Sequence, residues 1–253
     1  LEACTKGRRT GLGTHGLADA LAGLGLAYDS PEGLEVIDRI YDTLKRSAYT
    51  ESVELAKERG AFPVFDWETE KDNAYIQSLP QELQDMIKEF GRRNISILTN
   101  APTGSVSIMS QTSSGLEPVF RNWYTRRRKL SHNEQDQLTD FVDELGDGWK
   151  EFKVFHHNLR EYLDQFGLGE EDIPPFFTES DSIDWQQRVK VQGTIQKHID
   201  HSISSTINLP KGTDPSTVGE LYLEGWKQGL KGITVYVEAV SYTHLRAHET
   251  VLD

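Results

Sequence analysis

Apolar residues recur at helical spacing along much of the chain. Leu34, Ile37, Ile40, Tyr41 and Leu44 follow Ser30-Pro31, an N-cap with proline at the first helical position. A second helix is predicted from Thr50 to Arg59, stopped by Gly60. A third starts near Pro80, carries Leu83, Met86, Ile87 and Phe90 on one face, and stops at Gly91. Ser131 and Glu134 form a capping box before Leu138, Phe141, Val142 and Leu145, which predicts a helix ended by Gly146-Asp147-Gly148. Further helices are expected over Asn158 to Phe166, from Asp184 and Gln187 to about His198, and behind Asp214-Pro215 with Val218, Leu221, Tyr222 and Trp226. Extended runs fall at Ile95 to Leu98, Leu116 to Phe120 around Pro118, Ser202 to Leu209 before Pro210, and Ile233 to Val237. The alternation predicts an α/β fold in one compact unit, without internal repeats.

Charge narrows the function classes. The formal net charge of −13 over 253 residues argues against a broad nucleic-acid footprint. The run Arg126-Arg127-Arg128-Lys129 is the local exception, read as a solvated loop or partner surface, with contact to a phosphate or an acidic neighbour as the alternative. No apolar run nears the ~18 residues of a membrane span. With a single cysteine, Cys4, an internal disulfide framework and a Cys-rich zinc site are excluded, which fits the cytoplasm. Cys4 itself is expected as a small buried apolar residue.

Gly11-Leu12-Gly13-Thr14-His15-Gly16 matches G-x-G-x-x-G, but the basic Thr5 to Arg9 before it is no strand. A tight turn and close helix packing are expected there rather than a dinucleotide site. His156-His157 and the group His198, Asp200, His201 lack the spacing of a metal site. No Gly-x-Ser-x-Gly elbow supports hydrolysis by a serine nucleophile.

Asn100-Ala101-Pro102-Thr103-Gly104-Ser105-Val106-Ser107-Ile108 carries the most chemistry. Pro102 removes a backbone donor and stiffens the approach. Gly104 lets successive N–H groups converge with no Cβ in the way, and Thr103, Ser105 and Ser107 add hydroxyl donors. If Ser105 opens a short helix, its free N–H groups point at the same anion. The loop has no lysine, unlike a Walker A loop, so nucleotide hydrolysis is not implied. The alternative is an ordinary Ser/Thr-rich turn.

Four segments in order resemble the ribonucleotide reductase large subunit. They are Arg8 to Gly13 with Gly16 to Asp19, Ala101 to Ser107 running on through Thr112-Ser113-Ser114-Gly115-Leu116-Glu117-Pro118-Val119-Phe120, Ser204 to Pro210, and Gly225 to Tyr236. The Ala-Pro-Thr-Gly-Ser form of the loop is similar to the adenosylcobalamin-dependent (class II) ribonucleoside-diphosphate reductases; a di-iron (class I) large subunit and a non-catalytic phosphate-binding α/β module are the competing readings.

The resemblance implies a partial ten-stranded α/β barrel, of which residues 1–238 supply the later strands and helices. It implies that Pro102, Thr103, Gly104, Ser105 and Val106 bind the diphosphate of a ribonucleoside diphosphate. Adenosylcobalamin would be the cofactor of the full-length enzyme. A thioredoxin-like reductant, nucleoside triphosphate effectors and a second copy in a homodimer are the implied partners, with no membrane and no nucleic acid among them. Glu117 and Asn208 lie in matched segments without an assigned role.

In that family a cysteine thiyl radical takes the 3′-hydrogen of the ribose, and a cysteine pair supplies two electrons. One cysteine cannot do this, so the chain is expected to be a fragment with no turnover alone; deoxynucleotide formation by the purified chain would overturn that. The end of the chain, Val240 to Thr250, back-translates to a string resembling a transposon-based sequencing adapter. Residues 239–253 are therefore expected to be a non-native tail, and the i, i+4 pair His244 and His248 is set aside with it.

Overall fold

The computed structural model describes residues 1–130 and 139–237. The Ser131–Glu134 capping box and the 239–253 tail lie outside the described residues.

Helix α1 spans Glu2–Gly7 and α2 spans Leu17–Gly23. Helix α3 runs without interruption over Pro31–Arg59. Its start is as expected: Ser30 is extended, and its Oγ accepts the Gly33 N–H at 3.0 Å. Its end is Gly60 at φ 79. Two helices were expected here. The polar stretch between them holds no glycine or proline, and Lys45 is itself buried, with Nζ donating to Ser78 Oγ at 2.7 Å. A polar interval breaks the hydrophobic pattern without breaking the backbone.

Short helices α4 (Trp67–Glu70) and α5 (Ala74–Gln77) lead to α6 (Gln81–Phe90), which stops at Gly91 with φ 72. Leu83 and Ile87 on α6, Ile37, Tyr41 and Val53 on α3, and Ile195 share the main core.

Against this helical layer lies a parallel array of extended segments. Leu12 bridges Leu98, and Asn100 bridges Ile203, both in parallel. The Leu12 N–H reaches Ile97 O at 2.8 Å, and the Ser204 N–H reaches Asn100 O at 2.9 Å. The 95–98 run is thus extended and central, but held by single bridges rather than a continuous ladder. Helix α7 (Gly104–Ser110) follows it.

Residues 121–156 differ from expectation. Strand β1 is Trp123–Lys129, β2 is Phe141–Val142 and β3 is Gly148–Phe155, in the antiparallel order β1-β3-β2. The basic run is therefore strand, not loop. The helix expected through Phe141, Val142 and Leu145 is a strand and a turn over its described part. Asp143 explains this: its carboxylate accepts the N–H groups of Leu145 (3.0 Å) and Asp147 (2.9 Å) and the Trp149 indole N–H (2.8 Å). Gly146 takes φ 83. Such a side-chain-to-backbone turn outcompetes three apolar residues at helical spacing.

Helix α8 (His157–Phe166) packs Leu159 and Leu163 against Phe177. Helix α9 (Trp185–Gln196) is capped by Asp184. Strand β4 (Thr206–Leu209), helix α10 (Pro215–Lys227) and strand β5 (Thr234–Val237) complete the described chain, and β4 pairs with β5 in parallel. Val189, Ile207, Leu209 and Leu221 form a second core between them. No helix of the described residues is long and apolar enough to cross a membrane.

Candidate diphosphate-binding loop

The loop leaves the parallel array at Asn100, whose buried side chain takes the Thr14 N–H at 3.0 Å and lies 3.3 Å from the Thr14 hydroxyl. Gly13 permits this approach, because a Cβ there would lie 2.1 Å from Thr99 O. With Gly16 at φ 76, the G-x-G-x-x-G segment is a tight, closely packed turn ahead of α2.

Ala101 and Pro102 are exposed, and Thr103 is the N-cap of α7, its carbonyl accepting the Ser107 N–H at 2.8 Å. The N–H groups of Gly104, Ser105 and Val106 have no acceptor among the described residues. These are first-turn donors, which a helix cannot satisfy from within. A Cβ on Gly104 would meet no atom within 4 Å, so the space in front of them is open. Val106, Ile108 and Met109 expose apolar side chains beside it, at 52%, 78% and 86%.

The three hydroxyls expected as donors divide. Ser105 is exposed and faces no partner among the described residues. Ser107 is buried and donates to Gly104 O at 2.9 Å, so it braces the helix instead of meeting a ligand. Thr103 Oγ1 accepts the Gly115 N–H at 2.7 Å and lies 3.3 Å from Ser114 Oγ. The arrangement offers three unpaired first-turn N–H groups and one free hydroxyl, a donor set that suits phosphate oxygens.

The Thr112–Gly115 turn supports the loop from behind. Its Thr112 N–H bonds Ser107 O at 3.0 Å, and Ser113 O accepts the Gly16 N–H at 2.9 Å. Asp19, in the first turn of α2, accepts the Ser113 N–H at 2.5 Å, His156 Nε2 at 2.5 Å and Asn158 Nδ2 at 2.7 Å. Burial alone would push the Asp19 carboxyl up. The hydrogen bonds from His156, Ser113 and Asn158, together with the electrostatic pull of His156, outweigh it and hold the carboxyl well below the usual carboxylate range.

Glu117 is occupied by the scaffold. Its carboxylate accepts the Thr206 N–H at 2.8 Å and pairs closely with Arg188 Nη2. Arg188, 2% exposed, also donates to Tyr28 Oη at 2.7 Å, and Tyr28 donates on to Leu116 O at 2.5 Å. Asn208 Nδ2 donates to Ser180 Oγ at 2.9 Å, which ties β4 to a neighbouring turn.

The other candidates stay apart from the loop. His157 pairs with Glu161 at 3.2 Å and His198 with Asp38 at 3.0 Å. Asp200 accepts the N–H groups of Ile97 (2.7 Å) and Leu98 (3.0 Å). No group of three His, Cys, Asp or Glu fit to hold a metal occurs among the described residues. In the basic run, Arg127 meets Glu151 at 2.8 Å and Lys129 meets Asp147 at 2.5 Å. Cys4 is exposed, not buried as expected, because α1 buries no residue.

Ribonucleotide reductase, barrel domain, is the family that matches, over residues 2–236. The chain belongs to this family. A vitamin B12-dependent ribonucleoside-diphosphate reductase of Mycobacterium tuberculosis (strain CDC 1551 / Oshkosh) is 31% identical over 236 residues, covering 93% of this chain and 32% of that protein. One from Thermoplasma acidophilum is 30% identical over 237 residues, covering 90% and 28%. The chain thus spans about a third of the length of these relatives. The Actinobacillus ureae class Id ribonucleotide reductase alpha subunit superposes with TM-score 0.67 at 22% identity, covering 94% of this chain and 40% of that one. The fold is therefore part of the ribonucleotide reductase α/β barrel, as the resemblance implied. Within it, sequence reading missed Asp19, Tyr28 and Arg188 as supports of the loop and its neighbourhood. Asp19 lay inside a matched segment; Arg188 had no local signal.

Proposed function

We propose that this chain forms the substrate-diphosphate site of a ribonucleoside-diphosphate reductase, an oxidoreductase that makes deoxyribonucleoside diphosphates by thiyl-radical chemistry. The open first turn of α7, with Gly104, Ser105 and Val106 N–H groups unsatisfied, carries this reading. Pro102 leaves the approach free of a competing donor, and Thr103 sets the start of the turn. The radical cysteine and the electron-supplying pair belong to polypeptide outside this chain, whose one cysteine sits exposed on α1.

The names of the mycobacterial and Thermoplasma relatives favour adenosylcobalamin as cofactor. When bound, it supplies the radical that a cysteine receives. The cavities of about 350 and 440 Å³ lined by Trp185, Glu220 and Lys227 and by Leu34, Asp38 and Lys197 are open hollows on helical surfaces. They lack the donor set and enclosure that would hold a corrin, so no residue here is assigned to it. A thioredoxin-like reductant, triphosphate effectors, a homodimer and a cytoplasmic setting complete the reading. It also takes residues 1–238 as barrel and 239–253 as an unrelated tail, which a clean gene read through Ser241 to Thr250 decides.

The test is titration of the chain with inorganic pyrophosphate, followed by amide NMR. The Gly104, Ser105 and Val106 resonances should shift together and saturate. Saturable binding that leaves those amides unmoved would overturn the assignment.

A further inference from the structure

Asp19 is placed oddly for a surface acid. An aspartate in the first turn of a helix usually serves the helix dipole from an exposed position. Here the side chain is only 10% exposed, and its three donors all come from other elements. Two come from just past the end of β3 and from α8, His156 and Asn158, and both land on Oδ1. The third is the Ser113 N–H on Oδ2. Burial of a carboxylate is costly unless its lone pairs are met, so this cluster is strongly over-determined.

The fixed object is the turn that braces α7 at two points. Gly115, in the left-handed region at φ 54, sends its N–H to Thr103 Oγ1 at 2.7 Å. Thr112 sends its N–H to Ser107 O at 3.0 Å. Ser113, whose N–H is bound to Asp19, lies between them. A hydrogen-bonded path therefore runs from His156 and Asn158 through Asp19 and Ser113–Gly115 to Thr103, the residue that opens α7 and precedes its free N–H groups.

We propose that Asp19 is a positioning residue for the diphosphate loop, with His156 and Asn158 as the latch that holds its carboxylate against the Ser113 N–H. This rests on the diphosphate reading of the loop. Asp19 touches no ligand; it sets the angle at which the Gly104, Ser105 and Val106 N–H groups converge. Anion binding by such groups depends on their shared aim, so a loosened turn weakens binding before it unfolds the chain.

The experiment compares the unaltered chain, Asp19→Asn, His156→Ala and His156→Gln. It reads the pyrophosphate Kd and the hydrogen exchange of the Ser113 and Gly115 amides, far below the unfolding temperature. Asp19→Asn should raise the Kd about tenfold and speed exchange at both amides about tenfold, while exchange at core Ile195 stays as it was. His156→Ala should show a smaller change in the same direction, and His156→Gln, which keeps a donor, should recover most of it. If Asp19→Asn fails to fold, the His156 pair decides the matter by the same readouts. Unchanged exchange at Gly115, or an unchanged Kd, overturns the positioning role. If pyrophosphate does not move the Gly104 to Val106 amides of the unaltered chain, the diphosphate reading falls, and Asp19's hold on the turn stands or falls on the exchange data alone.

Discussion

At Gly104 to Val106 three backbone donors face open space, whereas at Glu117, a short way along the chain, both carboxylate oxygens are taken by Thr206 and Arg188. Both regions are rich in polar groups, and both lie in segments that resemble the same family. The loop leaves its donors unpaired at the surface, where water or a ligand completes them at little cost. Glu117 is half-buried, but its partners Arg188 and Tyr28 lie inside, where an unpaired group is costly. Polar groups of one matched stretch thus divide into those left without a protein partner and those spent on holding two elements together.

The largest expected effect is on the buried side of that comparison. Glu117→Ala leaves the Arg188 guanidinium buried with its charge unmet, and should cost about 3 kcal/mol in urea unfolding. Glu117→Gln, which still accepts the Thr206 N–H, should cost less. A loss below about 1 kcal/mol for the alanine variant would place Glu117 with the free groups of the loop.

The two glycines sharpen the contrast. Gly13→Ala would put a Cβ 2.1 Å from the Thr99 backbone oxygen, which cannot move aside, and should cost about 1–3 kcal/mol. Gly104→Ala meets nothing, and should leave stability within about 1 kcal/mol or raise it slightly. On the proposed diphosphate reading, its Cβ would enter the open space before those N–H groups, so pyrophosphate affinity should fall about tenfold with no loss of fold. Equal stability losses for both variants would erase the distinction between packed and open glycine.

Acid tests the support between the two regions. The Asp19 carboxyl is held below its ordinary value in the folded chain, so as pH falls through the ordinary range near 4 the unfolded chain takes up the proton first. The stabilisation is whole above that range and is lost progressively below it, toward the depressed native value. Unfolding of the unaltered chain and Asp19→Asn, compared from pH 6 downward, should therefore converge as the pH drops below about 4. A stability difference that stays constant through that window would show that the carboxylate's charge is not what Asp19 contributes.

Much of the fold was legible where the signal is local. Ser30-Pro31, Gly60, Gly91, Asp184 and Asp214-Pro215 each mark a helix limit where the structure has one. These motifs act within a turn of the backbone, so neighbouring residues are enough to read them. The antiparallel β1–β3 pair was not legible. β1 is almost wholly exposed, so no alternation of apolar and polar residues marks it as strand.

The sequence by itself determined the α/β class, the diphosphate-loop candidate from Pro102 to Val106, and those helix limits marked by a cap, a proline or a glycine, because such signals are short-range properties. Only the tertiary structure decided which polar residues are spent as scaffold. Glu117 and Arg188 are 71 residues apart, and Asp19 and Asn158 are 139 apart. No spacing rule links positions that far apart; what joins them is the chain folding back so that a buried charge finds its partner.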